Sequence, residues 1–275
     1  MQVGHLHEQS SEVTMPKFAA NLTMLFNDKP FLERFAAARA AGFDVVEYLF
    51  PYEFPAETLK AQLAANGLEQ VLFNLPCGNW SGGDRGIAAS PDRVAEFRAG
   101  VGKAIGYAEV LGVSKLNCLA GKRVPGFSDE DHWKTLTANA RFAAEALQGS
   151  NMLLMVEAIN HYDIPGFFLN RTEQVARLIE EVNLPNVRIQ YDIYHAQREE
   201  GELAATLKKY LNLIGHIQIA DNPGRHQPGT GEINYPFLFG EMDRLGYSGV
   251  IGLEYVPEPD TLKSLAWVKD FGYRL

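Results

Sequence analysis

The sequence predicts an α/β fold, a (β/α)8 TIM barrel built as a single domain, and three observations carry that prediction. Short apolar runs rich in β-formers alternate with longer amphipathic segments eight times along the chain. The composition shows no break along that alternation, so the units belong to one body. The turn after the first run, Asn21-Leu22-Thr23-Met24-Leu25, contains no glycine, whereas the competing doubly wound sheet usually advertises a glycine-rich turn there. A length of 275 residues fits, because α/β barrels routinely run to about 200–250 residues as one unit.

In chain order, the first strand is expected at Phe18–Asn21, followed by a helix over Phe31–Ala41 that Gly42 ends. Strand two, Val45–Tyr48, leads to a helix at Pro55–Asn66 that stops at Gly67. Strand three, Val71–Asn74, opens a connection from Pro76 to Pro91 containing Gly82-Gly83; a loop of that length in a compact domain is often a lid or a binding element. A helix over Asp92–Leu111 ends at Gly112. Strand four at Lys115–Cys118 precedes a helix at Asp129–Leu147, and strand five at Leu153–Glu157 precedes one at Thr172–Val182. Strand six spans Val187–Asp192, with a helix at Leu203–Tyr210. After strand seven, Ile214–Ile219, the cluster Gly229-Thr230-Gly231 lacks the spacing of a phosphate loop and reads as a turn-rich active-site loop. The last helix, Phe237–Leu245, is closed by Gly246 and followed by strand eight, Val250–Glu254.

Residues 1–14 (MQVGHLHEQSSEVT) read as a polar, flexible tail ahead of a folded domain at 15–275. The segment lacks the basic start and apolar block of a secretory signal, and His5 and His7 are read as part of the tail. With 25 Lys+Arg against 34 Asp+Glu the net charge is −9, the wrong sign for a protein that must neutralise phosphates, so a nucleic-acid partner is not expected. No apolar run approaches the roughly 20 residues of a membrane span. Cys77 and Cys118, without CxxC spacing, read as two reduced thiols of a cytoplasmic protein.

The chemistry is carried by strand ends. Four successive strands run into Glu157, Asp192, Gln218 and Glu254. In a barrel these residues meet at the C-terminal rim, where ligands bind. Crowded carboxylates raise one another's pKa unless a cation compensates them. Oxygen donors with no Cys or His cluster favour a hard divalent metal, Mg2+ or Mn2+, over zinc. Glu47 also ends a strand, on the opposite side of the expected barrel, and reads as a supporting or structural acid.

The segments Phe18-Ala19-Ala20-Asn21-Leu22, Glu157-Ala158-Ile159-Asn160-His161-Tyr162-Asp163-Ile164-Pro165-Gly166, Gln190-Tyr191-Asp192-Ile193-Tyr194-His195 and Gln218-Ile219-Ala220-Asp221-Asn222-Pro223 resemble the hydroxypyruvate isomerase family. So do Pro228-Gly229-Thr230-Gly231-Glu232-Ile233-Asn234-Tyr235 and Gly252-Leu253-Glu254-Tyr255. That family sits within the xylose-isomerase-like TIM barrels, and the resemblance runs from Met15 to the C-terminus. It implies that Glu157, Asp192, Gln218 and Glu254 hold the metal and that Glu157 and Glu254 are the catalytic proton-transfer pair. Related sugar epimerases carry a histidine where Gln218 stands, which makes His216, two residues earlier, an alternative ligand. Ala158 stands where close relatives often have Pro.

The resemblance implies a small hydroxy-keto acid as substrate, interconverted between hydroxypyruvate and tartronate semialdehyde through an enediolate. The runner-up readings are a 2-oxo-tetronate isomerase or a ketose 3-epimerase on the same scaffold. His195, Arg225 and Lys122 are the expected substrate-binding residues. His161 is expected to support the site from its loop, His132 and His226 to lie at the surface, and Trp80 and Phe127 to wall the site. A homo-oligomer is compatible with the sequence. An abasic-site endonuclease on a similar barrel would need a histidine-rich zinc cluster and a basic face. A non-catalytic sensor would have lost one of the two glutamates.

Overall fold

The computed structural model describes residues 16–275. The expected tail 1–14, with His5 and His7, lies outside the described residues. Nine parallel strands form one sheet: β1 (Lys17–Asn21), β2 (Val45–Glu47), β3 (Glu69–Gln70), β4 (Phe73–Asn74), β5 (Lys115–Cys118), β6 (Leu153–Glu157), β7 (Val187–Asp192), β8 (Ile214–Ile219) and β9 (Val250–Leu253). The spatial order is β3-β2-β1-β9-β8-β7-β6-β5-β4. Its two ends, β3 and β4, are separated in the chain only by Val71 and Leu72. The sheet therefore curls into a barrel at this point.

Here the structure corrects the sequence reading. The third stave is two short pieces around Val71-Leu72, one pairing with β2 (Val46↔Gln70) and one with β5 (Phe73↔Leu116). The nine segments make eight staves. Each piece is two residues long, too short to show as a strand of its own in an apolar pattern.

The outer ring comprises α1 (Arg34–Ala40), α2 (Ala56–Asn66), α3 (Val94–Leu111), α4 (Asp129–Gln148), α5 (Thr172–Val182), α6 (Ile193–Glu199), α7 (Leu203–Tyr210), α8 (Tyr235–Leu245), α9 (Thr261–Ser264) and α10 (Ala266–Asp270). The expected helix at Phe31 opens instead with a 3-10 turn, Phe31–Glu33, and the one at Asp92 begins after a similar turn at Pro91–Arg93. Gly67, Gly112 and Gly246 close α2, α3 and α8 in the left-handed region, as the spacing suggests. The sequence reading missed α6, α9 and α10, which have seven, four and five residues and so too few turns to display a period. His132, expected at the surface, is fully buried on α4. Its Nε2 accepts from the Val124 N–H at 2.8 Å and its Nδ1 donates to the Ser128 carbonyl at 2.7 Å, so the ring ties the loop before α4 to the helix.

Apolar side chains fill two spaces. The larger lies between sheet and helices, with Phe35, Leu59, Val101, Leu136, Leu178 and Leu207 among its members. The smaller, Ala19, Val45, Val71, Leu72 and Met155, plugs the barrel floor. Because strand side chains alternate faces, the inward residue two places further along changes from apolar to polar. Ala19 is followed by Asn21, Val45 by Glu47 and Met155 by Glu157, all of them buried.

Gly252 on β9 makes that polar layer possible. A Cβ built there would collide with the Glu47 carboxylate, which crosses the barrel interior beside it. Gly252→Ala is expected to destabilise the fold by about 1–3 kcal/mol, measured by denaturant unfolding; wild-type stability would show that Glu47 gives way freely.

Candidate active site

Glu47 is fully buried, yet its carboxylate is fully partnered. Oε1 accepts from Asn21 Nδ2 at 3.0 Å and Gln218 Nε2 at 2.7 Å, and Oε2 from His216 Nε2 at 2.6 Å. It does not stand apart on the far side of the barrel. Only β1 and β9 separate β2 from β8, and the bare Gly252 lets its side chain reach across. The same bond holds His216 down against Glu47, beneath Gln218 in the strand.

The network continues along the rim. Gln218 Oε1 accepts from Gln190 Nε2 at 2.7 Å, and the same Nε2 lies 3.1 Å from Glu157 Oε2. Asn117 Nδ2 donates to that Glu157 oxygen at 2.9 Å. One oxygen of Glu157 is thus held by neutral amides. The other faces His195, whose Nε2 is 4.0 Å away and lies 3.5 Å from Asp192 Oδ2. Asn160 Nδ2 approaches His195 Nδ1 at 2.6 Å; this occupies the Nδ1 lone pair and leaves the ring proton on Nε2. Asp192 Oδ1 accepts from the Tyr194 N–H at 2.8 Å, so this acid also caps α6.

Arg225 closes the group from the loop after β8. Its Nη2 is 3.2 Å from Asp192 Oδ2 and 2.9 Å from Glu254 Oε2. Asp221 fixes that loop by accepting from the Gly229, Gly231 and Ile233 amides. The glycine cluster therefore serves a buried carboxylate that positions Arg225.

All of this opens onto a cavity of about 570 Å³, lined in part by Glu157, Gln190, His195, Gln218, Arg225 and Glu254. Trp80 is part of its wall, its ring tilted against Phe50 with centroids 5.2 Å apart. Phe127 is not; it lies exposed against His132, and Phe31 and Phe54 take the place expected of it. Lys122 is not among the lining residues either, because its Nζ donates to the Gly83 carbonyl at 2.8 Å and so pins the long loop after β4. His161 pairs with Glu199 at 2.7 Å on an exposed side, away from the cavity, and the partly exposed His226 contacts the Val256 carbonyl. Sequence reasoning missed Asn21, Asn117 and Gln190. The available signal was their placement, a polar residue alternating with apolar ones inside a strand.

Burial, reinforced by the Asp192 charge, pushes Glu157 up to about 8. Glu254 is raised well above the usual carboxylate range by burial, against the pull of Arg225. Burial lowers His195 to about 4, which keeps the ring neutral. Arg225 is pushed above its ordinary value, burial being outweighed by Glu254, Asp192 and Glu157.

Ligand atoms of Glu157, Asp192 and His195 lie within 4.8 Å of one another. Among the described residues, Arg225 is the one cation paired with the three acids that meet here, and the Gln190 Oε1 is buried without a partner. A surplus of buried negative charge and free oxygen lone pairs is a donor set that fits a divalent cation.

A parallel barrel with its polar strand ends gathered over one rim cavity defines a TIM-barrel enzyme. Residues 35–271 match the xylose isomerase-like TIM barrel, and the chain belongs to that family. It is 51% identical over 257 residues to hydroxypyruvate isomerase of Escherichia coli (strain K12), covering 94% of this chain and 100% of the relative. It is 47% identical to a 2-oxo-tetronate isomerase of Cupriavidus necator, covering 94% of this chain and 99% of that one. A crystal structure from Brucella melitensis described as an AP endonuclease, family 2, superposes with a TM-score of 0.92 at 42% identity, over 95% of this chain and 100% of that one. The chain is an isomerase of this family.

The raised Glu157 has a stability consequence. Between its ordinary 4.5 and about 8, the metal-free folded chain holds a proton that the unfolded chain has released, so this group costs stability as pH rises through that window. Glu157→Gln removes the effect. Its melting temperature in chelator should exceed that of wild type by a margin that widens from pH 5 to pH 8; a margin independent of pH would contradict the assignment.

Proposed function

We propose that the chain interconverts hydroxypyruvate and tartronate semialdehyde. The observation that carries this reading is the pairing of Glu157 and Glu254 over one cavity, flanking Asp192 and Gln218 on the two staves between them. The reaction removes a proton from C3 of the keto acid, passes through an enediolate and delivers a proton to C2, while the hydroxyl proton moves between the two oxygens. Such a shift needs one group to take a proton and one to give it. Glu157, raised to about 8, can hold or release a proton near neutral pH. Glu254, paired with Arg225, is the second carboxylate, and the two exchange roles with direction.

The remaining polar groups hold this pair in place. Asn117 and Gln190 fix the Glu157 carboxylate from one side, leaving its other oxygen towards the cavity. His195 presents its Nε2 proton beside that oxygen, where it can donate to a substrate oxygen. Arg225, with 23% of its side chain exposed, remains accessible from the cavity. A divalent cation held by Glu157, Asp192, Gln218 and Glu254, whose oxygen donors suit Mg2+ or Mn2+, would polarise the substrate carbonyl and offset the negative charge that develops on it.

A 2-oxo-tetronate isomerase is the second reading, favoured by the size of the cavity, which leaves ample room beyond a three-carbon acid. An abasic-site nuclease is poorly supported, since the potential ligand group among the described residues is two carboxylates and one histidine rather than a histidine cluster.

Incubation of hydroxypyruvate and 2-oxo-tetronate with the protein in D2O, followed by NMR, should show deuterium entering at C2 or C3 of the isomerised compound. Absence of exchange with either acid would rule out both readings. Glu157→Gln and Glu254→Gln should each lower kcat by about 10²–10⁴-fold with an unchanged circular dichroism spectrum; near-normal turnover in either would remove that residue from the proton-transfer pair.

A further inference from the structure

The central cavity mixes two kinds of lining. Beside the carboxylates and amides described above stand Phe31, Phe50, Phe54 and Trp80, the carboxyl of Glu53 and two guanidinium groups, Arg34 and Arg85. We propose that Arg34 and Arg85 form an anion subsite that takes the substrate's carboxylate and makes the cavity select keto acids over neutral ketoses.

The argument rests on how these two side chains are held. Arg34 Nε donates to the Lys29 carbonyl at 2.9 Å and its Nη1 to the Leu22 carbonyl at 2.8 Å. Arg85 Nη1 donates to the Trp80 and Asp84 carbonyls at 3.0 and 2.6 Å, and its guanidinium lies 4.2 Å from the Trp80 ring centroid. Both are oriented by backbone oxygens. Among the described residues neither has a carboxylate within salt-bridge distance, because the neighbouring acids are committed elsewhere: Asp28 to Lys29 at 3.3 Å and Asp84 to Arg93 at 2.7 Å. Two pre-oriented cations that line a cavity and form no ion pair among the described residues, in a protein of net charge −9, mark a place for an anion to enter.

The other candidate cations are already occupied. Arg225 is engaged by Asp192 and Glu254, and Lys122 by the Gly83 carbonyl outside the cavity. The loop that carries Arg85 is also anchored. Gly86 pairs with Ala120 as an antiparallel bridge and lies so close to Leu119 that any side chain there would collide with its backbone. The subsite is therefore preformed, and a carboxylate entering it adds charge-assisted hydrogen bonds without having to order the loop.

This inference rests on the keto-acid isomerase reading, and two measurements keep their failures apart. Equilibrium dialysis with labelled hydroxypyruvate and with dihydroxyacetone, its neutral analogue, reads binding regardless of turnover, and steady-state kinetics reads the reaction. Arg85→Leu should weaken hydroxypyruvate binding and raise its KM by roughly 10–100-fold, as expected for a lost charge-assisted hydrogen bond, while the Kd for dihydroxyacetone moves by less than about threefold. Arg85→Lys should recover part of the loss, and Arg34→Met should shift selectivity in the same sense where its melting curve matches wild type. Unchanged hydroxypyruvate binding in Arg85→Leu, or equal loss for the charged and neutral ligands, would overturn the subsite. A wild type that binds hydroxypyruvate through Arg85 but isomerises neither keto acid would overturn the isomerase reading and leave the subsite standing.

Discussion

Closing the sheet forces Glu157, Asp192 and Glu254 towards a shared space from which water is largely withdrawn, and the surrounding architecture answers that one constraint. Buried like charges are costly unless they are paired, hydrogen-bonded or protonated, and the site uses all three remedies. Arg225 pairs two of the acids. Asn117 and Gln190 donate to the third. Burial then keeps Glu157 and Glu254 protonated further up the pH scale than carboxyls in water. The same crowding that burdens the fold raises these carboxyls into the range that the proposed proton transfer would use.

Support for the site is layered along the barrel axis. Ala19, Val45 and Met155 close the floor. Glu47, His216 and Asn21 form a tied polar layer above them, with Glu157 at the same step on β6 and Gln218 one step beyond His216 on β8. Each layer follows from alternation along a strand, so the depth of a residue in the barrel can be counted in pairs from its strand's first inward position. Loops contribute from above. Asp221 organises the turn that delivers Arg225, and Lys122 straps the loop that delivers Arg85.

Much of this was legible in the sequence, for identifiable reasons. Strand ends such as Leu-Met-Val-Glu157 and Ile-Gln-Tyr-Asp192 state their direction plainly, because an acid after an apolar run has to leave the core at the rim. Long amphipathic segments such as Val94–Leu111 and Asp129–Gln148 give period enough to be recognised. The split of the third stave was not legible, since a pairing switch at Val71-Leu72 leaves no trace in an apolar pattern. Neither was the reach of Glu47, which depends on an absent side chain two staves away in space. The roles of Lys122 and His161 turned on where loops fold back, which neither strand alternation nor helix periodicity encodes.

The vacancy at Gly252 extends this dependence between distant parts of the chain. Residues 47 and 252 are far apart in sequence but share one parcel of volume, so neither can drift alone: a bulkier residue at one is tolerated only alongside a shorter one at the other. Among homologous barrels the two columns should therefore vary as a unit, tracing through inheritance a contact that neither position reveals by itself.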